Sequence, residues 1–269
     1  MEITGETDLF YIVGTPVRHF RAPILFNDYF ASCGHNFCCT GLNVQPADLA
    51  DALSLVRRIE NIRGLCITAP HKIAAASMVD LHTREATQAG SVNFVRRETD
   101  GTLTGHNLDG LGFLRGLKGS GFDPVGKRVL LLGAGGVGRA IAFSLAAEGV
   151  TRLLLANRDT AKAHTLAAEV ARATGIKAMA TGTGALPDLS DFDLIVNATS
   201  VGMGGGGDMP MDLTGVSASA TVADVVIGAQ DTPLIAAAKR AGCSTMVGSS
   251  MLKPQIELSE TFLYGTAKG

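Results

Sequence analysis

The residues of this chain best able to do chemistry stand in three short stretches. The first is "ITAPHK", residues 67 to 72, where a β-branched pair runs into a proline and then His71 and Lys72 sit side by side. Lys72 is either a solvated charge just past a strand end or an amine aimed into a site, and the hexapeptide by itself favours the solvated charge. The second is "GAGGVG", which satisfies GxGxxG through Gly133, Gly135 and Gly138. It follows the apolar run "RVLLL", opens "GRAIAFSLAAEG" and lies inside one βαβ unit. In that context the glycines allow a tight turn and bring backbone N–H groups and a helix N-terminus up to a pyrophosphate. The third is "NRDTAK", residues 157 to 162, at the end of the second strand of that unit. An acidic residue there binds the ribose 2′-hydroxyl of NAD, and arginine suits the 2′-phosphate of NADP. Asn157 stands in the usual acidic place, and Arg158 and Lys162 offer two cations to a phosphate. Asp159 would repel that phosphate or bind the free hydroxyls. The pattern leans to NADP and leaves NAD open.

The elements that position these residues alternate between strand and helix. "LFYIVG", "NFCCTGLNV" and "IRGLCIT" read as strands, and "APILFNDYFASCG" and "PADLADALSLVRRI" as helices, the first stopping at Gly34 and the second begun by proline. Such alternation predicts a mostly parallel sheet. "TDGTLTGHNLDG", residues 99 to 110, is turn-rich and reads as a domain junction. Beyond the βαβ unit, "DLIVNATSVGM" and "ATVADVVI" supply further strands, "GGGG" (204 to 207) a surface loop, and "MLKPQIELSETFLYG" a final helix.

Bulk composition excludes several classes. With 269 residues, 46% hydrophobic and 18% charged, the chain is long enough for one large or two modest globular domains. A net charge of −2 gives no field for nucleic acid. "MEITGETDLF" lacks the pattern of a signal peptide, and glycines, Arg139 and Glu148 interrupt the most apolar region, so no membrane partner is expected. Five cysteines without CxxC spacing read as buried or free thiols in a reducing cytoplasm, and six scattered histidines imply no metal.

Taken together and in order, these motifs resemble the shikimate dehydrogenase family, which includes quinate/shikimate dehydrogenases. The resemblance runs through "YIVGTPVRH", "ITAPHK", "GSVN", "GHNLDGLGF", "GAGGVGRA", "ANRDTAK", "NATSVGM", "DTPLIAAAKRAG" and "GSSMLKPQ". It implies an α/β protein with an N-terminal α/β substrate domain, a Rossmann dinucleotide-binding domain and a cleft between them. The expected bounds are 1–106 for the substrate domain, joined by a C-terminal helix at 243–269, and 107–242 for the Rossmann domain. It also implies an oxidoreductase of aromatic amino acid biosynthesis that uses NADP, with NAD possible, on a small cyclic hydroxy or keto compound, as a cytoplasmic monomer or homodimer.

Carried over position by position, the resemblance makes Lys72 and Asp109 the catalytic pair. It makes Thr68, Asn93 and Gln255 substrate ligands. Removing a secondary hydroxyl's proton as hydride leaves, and returning it in reverse, suits a lysine oriented by a carboxylate; an ion pair that merely ties the domains together is the alternative. The cofactor set it implies is Gly133, Ala134, Gly135, Gly136, Val137, Gly138, Asn157, Arg158, Asp159, Lys162, Thr199, Val201, Met203, Val225, Gly248 and Met251. The substrate's acid end departs from the family. Phe20 and Ala22 in "HFRAP" replace the two serines of an S-x-S, Ile227 replaces a tyrosine, and Cys66 replaces an asparagine. A carboxylate placed there would lose hydrogen bonds unless a cation answers it. Arg18 and Arg21 are the candidates, or else ordinary surface arginines. A regulatory nucleotide-binding paralogue with little turnover, and an NAD-preferring quinate-type enzyme, are the rival readings.

Overall fold

The structure is a computed structural model that describes residues 2–18, 20–203, 207–228 and 230–265. The chain forms two compact units, one from residues 1–108 with 255–269 and the other from 109–254. The first contains β1 (Asp8–Gly14), α1 (Ala22–Ser32), β2 (Phe37–Asn43), α2 (Leu49–Arg58), β3 (Ile62–Ile67), α3 (Lys72–Ala76), β4 (Leu81–His82), α4 (Arg84–Ala89), β5 (Phe94–Arg97) and β6 (Leu103–His106). The second contains α5 (Asp109–Gly119), β7 (Arg128–Leu132), α6 (Gly136–Ala147), β8 (Arg152–Asn157), α7 (Thr160–Thr174), β9 (Lys177–Gly182), β10 (Leu194–Asn197), β11 (Thr221–Asp224), α8 (Pro233–Arg240) and β12 (Ser244–Met246). The last helix, α9 (Leu252–Tyr264), begins in the second unit and ends in the first.

In the first unit the strand order is β2-β1-β3-β5-β6-β4. Pairing is parallel from β2 to β3 and antiparallel on both sides of β5. The alternating pattern foretold the parallel half. It missed β6, because "LTGH" lies inside the polar stretch read as a domain junction, yet all four of its residues are buried. The chain leaves the first unit two residues beyond β6, at Leu108. Phe10, Phe26, Phe30, Phe37 and Phe94 fill one side of this sheet, with Phe30 stacked on Phe37 at 4.1 Å between centroids. Helix α9 closes over it. The Arg96 guanidinium donates to the Phe262 carbonyl (2.7 Å), the Tyr264 hydroxyl donates to Asp8 (2.8 Å), and the His35 ring stacks on Tyr264.

The second sheet is wholly parallel, in the order β12-β11-β10-β7-β8-β9. In sequence rank this is the doubly wound order, in which the strand order reverses between the first and fourth strands, here β7 and β10. Their central runs "VLLL" and "LIV" are fully buried because helices cover both faces of a parallel sheet. Residues 243–254, expected with the substrate domain, belong to this unit instead, since Ser244–Met246 pairs with β11. The proline expected to begin the second helix starts a short 3₁₀ turn, Pro46–Asp48, ahead of α2. Most of the expected "GGGG" loop, residues 204 to 206, lies outside the described residues.

Candidate active site

The glycine turn follows β7 and opens α6 at the point where the strand order reverses. Gly133 has φ +105, a left-handed value that favours glycine, and a Cβ on it would meet the Ala198 carbonyl oxygen at 2.7 Å. The turn is thereby pressed against the end of β10, and the Ala198 N–H donates back to Leu132 (2.8 Å). Gly138, one turn into α6, lies so close that a Cβ would sit 2.1 Å from the Gly133 oxygen. Gly135 faces open space, with nothing within 4 Å of where its Cβ would be. It caps α6 without any side-chain hydrogen bond, so a side chain takes up none of the first-turn amides. A backbone that is closely packed on one side and open beside a helix N-terminus suits a phosphate. Ala134, Gly136 and Val137 complete this turn and are half-buried.

At the end of β8, Asn157 stitches the turn to the next loop. Its Oδ1 accepts the Ala134 N–H (3.2 Å) and its amide donates to the Asp159 carbonyl (2.9 Å). Asp159 is the N-cap of α7, where Oδ1 accepts the N–H groups of Ala161 (3.1 Å) and Lys162 (3.3 Å). The Lys162 ammonium stands 3.8 Å from the other oxygen. Arg158 is exposed between them.

Beyond β10 and β11 a buried polar knot holds two loops. Asp224, 1% exposed, accepts from the Asn197 amide (2.9 Å), the Val226 N–H (3.0 Å) and the Thr232 hydroxyl (2.6 Å). Burial holds its carboxyl above the usual carboxylate range despite these donors. Asn197 in turn accepts from the Thr199 hydroxyl (2.7 Å) and N–H (3.1 Å) and donates to the Val201 carbonyl (3.2 Å). Gly248 abuts the same loops, since its Cβ would meet the Val225 and Val226 carbonyls at 2.6 and 2.4 Å. Thr199, Val201, Val225 and Gly248 therefore gather at the strand ends. Met203 is 67% exposed, Ile227 is 57% exposed, and Met251 is buried in the unit's main apolar cluster. The sequence reading missed Asn197, Asp224 and Thr232. For Asn197 and Asp224 the available signal was a polar residue ending each of two mainly apolar strands.

In the first unit, Thr68 follows β3, and its N–H donates to the Val13 carbonyl (2.9 Å). His71, beside Lys72, is a satisfied core histidine whose Nε2–H donates to the Val44 carbonyl (2.9 Å). Lys72 is half-buried at the first position of α3, and its carbonyl accepts the Val92 N–H (2.9 Å). Asn93 is 2% exposed; its carbonyl accepts the Ile67 N–H (2.8 Å) and its Oδ1 accepts the Leu108 N–H (2.8 Å). Asn107 is anchored to Ser91 through its amide. The turn at 91–93 thus holds the backbone of Lys72 on one side and, on the other, the residue that precedes Asp109. Asp109 opens α5 in the second unit and is 4% exposed. Gln255 lies half-buried on α9, and Cys66 is half-buried on β3 opposite Phe94. The Phe20 ring turns back over β1. Its Cζ and the Thr68 Cγ2 lie 3.0 and 2.6 Å from the point a Gly14 Cβ would occupy. Ala22 starts α1 half-buried, and Arg18 and Arg21 are exposed. Among the described residues no group of three His, Cys, Asp or Glu side chains is arranged to hold a metal, and no helix is long and apolar enough to cross a membrane.

Residues 12–95 match the family described as "Shikimate dehydrogenase substrate binding domain", and residues 119–202 match "Shikimate / quinate 5-dehydrogenase". The shikimate dehydrogenase (NADP(+)) of Geobacter metallireducens is 38% identical over 262 residues, which are 96% of this chain and 91% of that protein. The chain belongs to the shikimate dehydrogenase family. Like other members of that family, this shikimate dehydrogenase relative is an oxidoreductase with a substrate domain and a Rossmann-like domain. A crystal structure of shikimate dehydrogenase in complex with NADP+ superposes on it with a TM-score of 0.90 at 30% identity, covering 98% of this chain and 92% of that one. The 5-ketofructose reductase of Gluconobacter sp. strain CHM43 superposes at 0.86 with 32% identity, covering 96% and 93%.

Proposed function

We propose that this family member transfers hydride between NADP(H) and a hydroxyl or keto group of a shikimate-related cyclic compound. NADP(H), when bound, supplies or receives the hydride. Residues 133–138 and the start of α6 would hold its pyrophosphate, and Thr199, Val201, Val225 and Gly248 would border its other half. Arg158 would meet the 2′-phosphate. Asp159 is occupied as a helix cap, which leaves it poorly disposed to bind a ribose and supports NADP over NAD. In reduction the Lys72 ammonium gives its proton to the carbonyl oxygen, and in oxidation the neutral amine takes the hydroxyl proton. The Asp109 carboxylate would be the group that orients this lysine. Thr68, Asn93 and Gln255 would hold the substrate's other hydroxyls.

The observation that carries this reading is the turn at 91–93, bonded to Lys72 on one side and to the residue before Asp109 on the other. The relatives' names, shikimate dehydrogenase and 5-ketofructose reductase, share an alcohol–ketone interconversion, and that is the step assigned here. A monomer or homodimer acting in the cytoplasm is part of this proposal. The test is turnover of shikimate, quinate and related cyclic alcohols with NADP and NAD. The reading requires NADP-linked oxidation of at least one of them and is refuted if neither cofactor is reduced by any.

A further inference from the structure

The end of the first unit's site that lies over Gly14 has a definite chemical character. Phe20 places an aromatic ring beside Thr68, and the methyl of Ala22 follows at the first position of α1. Part of the backbone there is closed to an anion. The Phe20 N–H donates to the Val17 carbonyl (3.0 Å), Pro23 has no N–H, and the Ile24 N–H donates to the Arg21 carbonyl (3.1 Å). Two first-turn positions of this helix, Pro23 and Ile24, therefore offer no free N–H to a carboxylate. The two nearby cations, Arg18 and Arg21, are exposed, where water screens them. A carboxylate brought against the Phe20 ring would exchange its hydration for an apolar surface, which is unfavourable without a buried partner.

We infer that the substrate of this site carries no charge at the end that meets Phe20: it is a neutral polyhydroxylated ketone or alcohol rather than a ring acid. This rests on the hydride-transfer reading above and narrows its substrate. The hydroxyl-binding side of Thr68 keeps its role, and the discriminating contact is the aromatic face.

The experiment compares shikimate with its methyl ester, which have the same ring and hydroxyls with and without the charge, as substrates for NADP+ reduction by the whole protein. NADPH affinity is followed by fluorescence in parallel. The ester should exceed the acid at least tenfold in kcat/KM, mainly through KM. The Phe20→Ser/Ala22→Ser double variant should move that ratio at least tenfold toward the acid, since each charge-assisted hydrogen bond gained is worth about that factor. The wild-type comparison decides the matter even if the variant does not fold. A wild-type preference for the acid overturns the inference and leaves hydride transfer standing, and Arg18→Ala and Arg21→Ala would then identify the cation that holds it. If NADPH binds but neither compound is turned over, this inference falls, and the parent reading falls with it only when quinate and the other cyclic alcohols are also inactive.

Discussion

Gly135 and Gly138 stand three residues apart in the same turn, and alanine at each should fail in opposite ways. At Gly135 the backbone has φ −80 and ψ −175, which alanine adopts without strain, and the added methyl meets nothing within 4 Å. Replacing this N-cap should change stability by less than about 1 kcal/mol. The same methyl projects into the space a pyrophosphate needs in order to reach the first-turn amides. Loss of one to two charge-assisted hydrogen bonds, at about 1.5–3 kcal/mol each, corresponds to a rise in NADPH dissociation constant of roughly 10- to 10⁴-fold. At Gly138 the methyl would lie 2.1 Å from the Gly133 oxygen, which is backbone and cannot rotate away. Overpacking of that kind costs about 1–3 kcal/mol, or roughly 2–10 °C in Tm for a unit of this size. Thermal unfolding without ligand separates the two variants, and fluorescence titration with NADPH measures the cofactor. If Gly135→Ala binds NADPH as tightly as the wild type, the pyrophosphate does not lie on this turn, and the assignment of residues 133–138 is wrong.

Lys72→Ala should lower turnover by about 10²- to 10⁴-fold while leaving NADPH affinity within twofold, and near-native kcat on the best substrate would remove Lys72 from the proton path. Arg158→Ala should raise KM for NADP at least tenfold and leave that for NAD unchanged; equal effects on both cofactors would make Arg158 a structural residue. Burial lowers the pKa of His106, with Arg96 acting in the same direction and Glu85 opposing them. Its contribution to stability should therefore be full above the unfolded value of about 6.5 and be lost as pH falls through the lower folded value. Urea unfolding of wild type and His106→Gln between pH 5 and 7.5 should show the steeper acid loss in the wild type.

How much could be read beforehand depended on whether a residue's role is local. The glycine turn was legible because its requirement for small residues repeats at fixed spacing, and the flanking apolar strands confirm its context. β6 was not, because "LTGH" looks like a turn and is a strand only through pairing with β5 and β4. Lys72 drew attention by its type, yet its backbone is positioned by Val92, twenty residues away, which no local pattern reveals. Asp159 reads as a cofactor residue in the sequence, and in the fold it also caps α7, a use that an aspartate before a helical run shares. Asp224 escaped notice because its three hydrogen-bond donors come from the end of another strand and from the two ends of the loop that follows Asp224 itself.

The passage of α9 from one unit to the other bears on how the protein is made. Strands β1 to β6 leave the ribosome early, but Phe262, Leu263 and Tyr264, which close over Arg96, Gly64 and Asp8, emerge only after the whole of the second unit. The second unit needs nothing synthesised later than itself and can fold while translation continues. The first must leave the part of its core beside Phe30 and Gly64 uncovered until the last helix arrives, the kind of exposed surface that chaperones retain and that aggregates when they do not. The domain begun first is thus completed last. Slowing translation anywhere in residues 109–254 should lengthen this vulnerable interval for the first unit while leaving the folding of β1 to β6 themselves untouched.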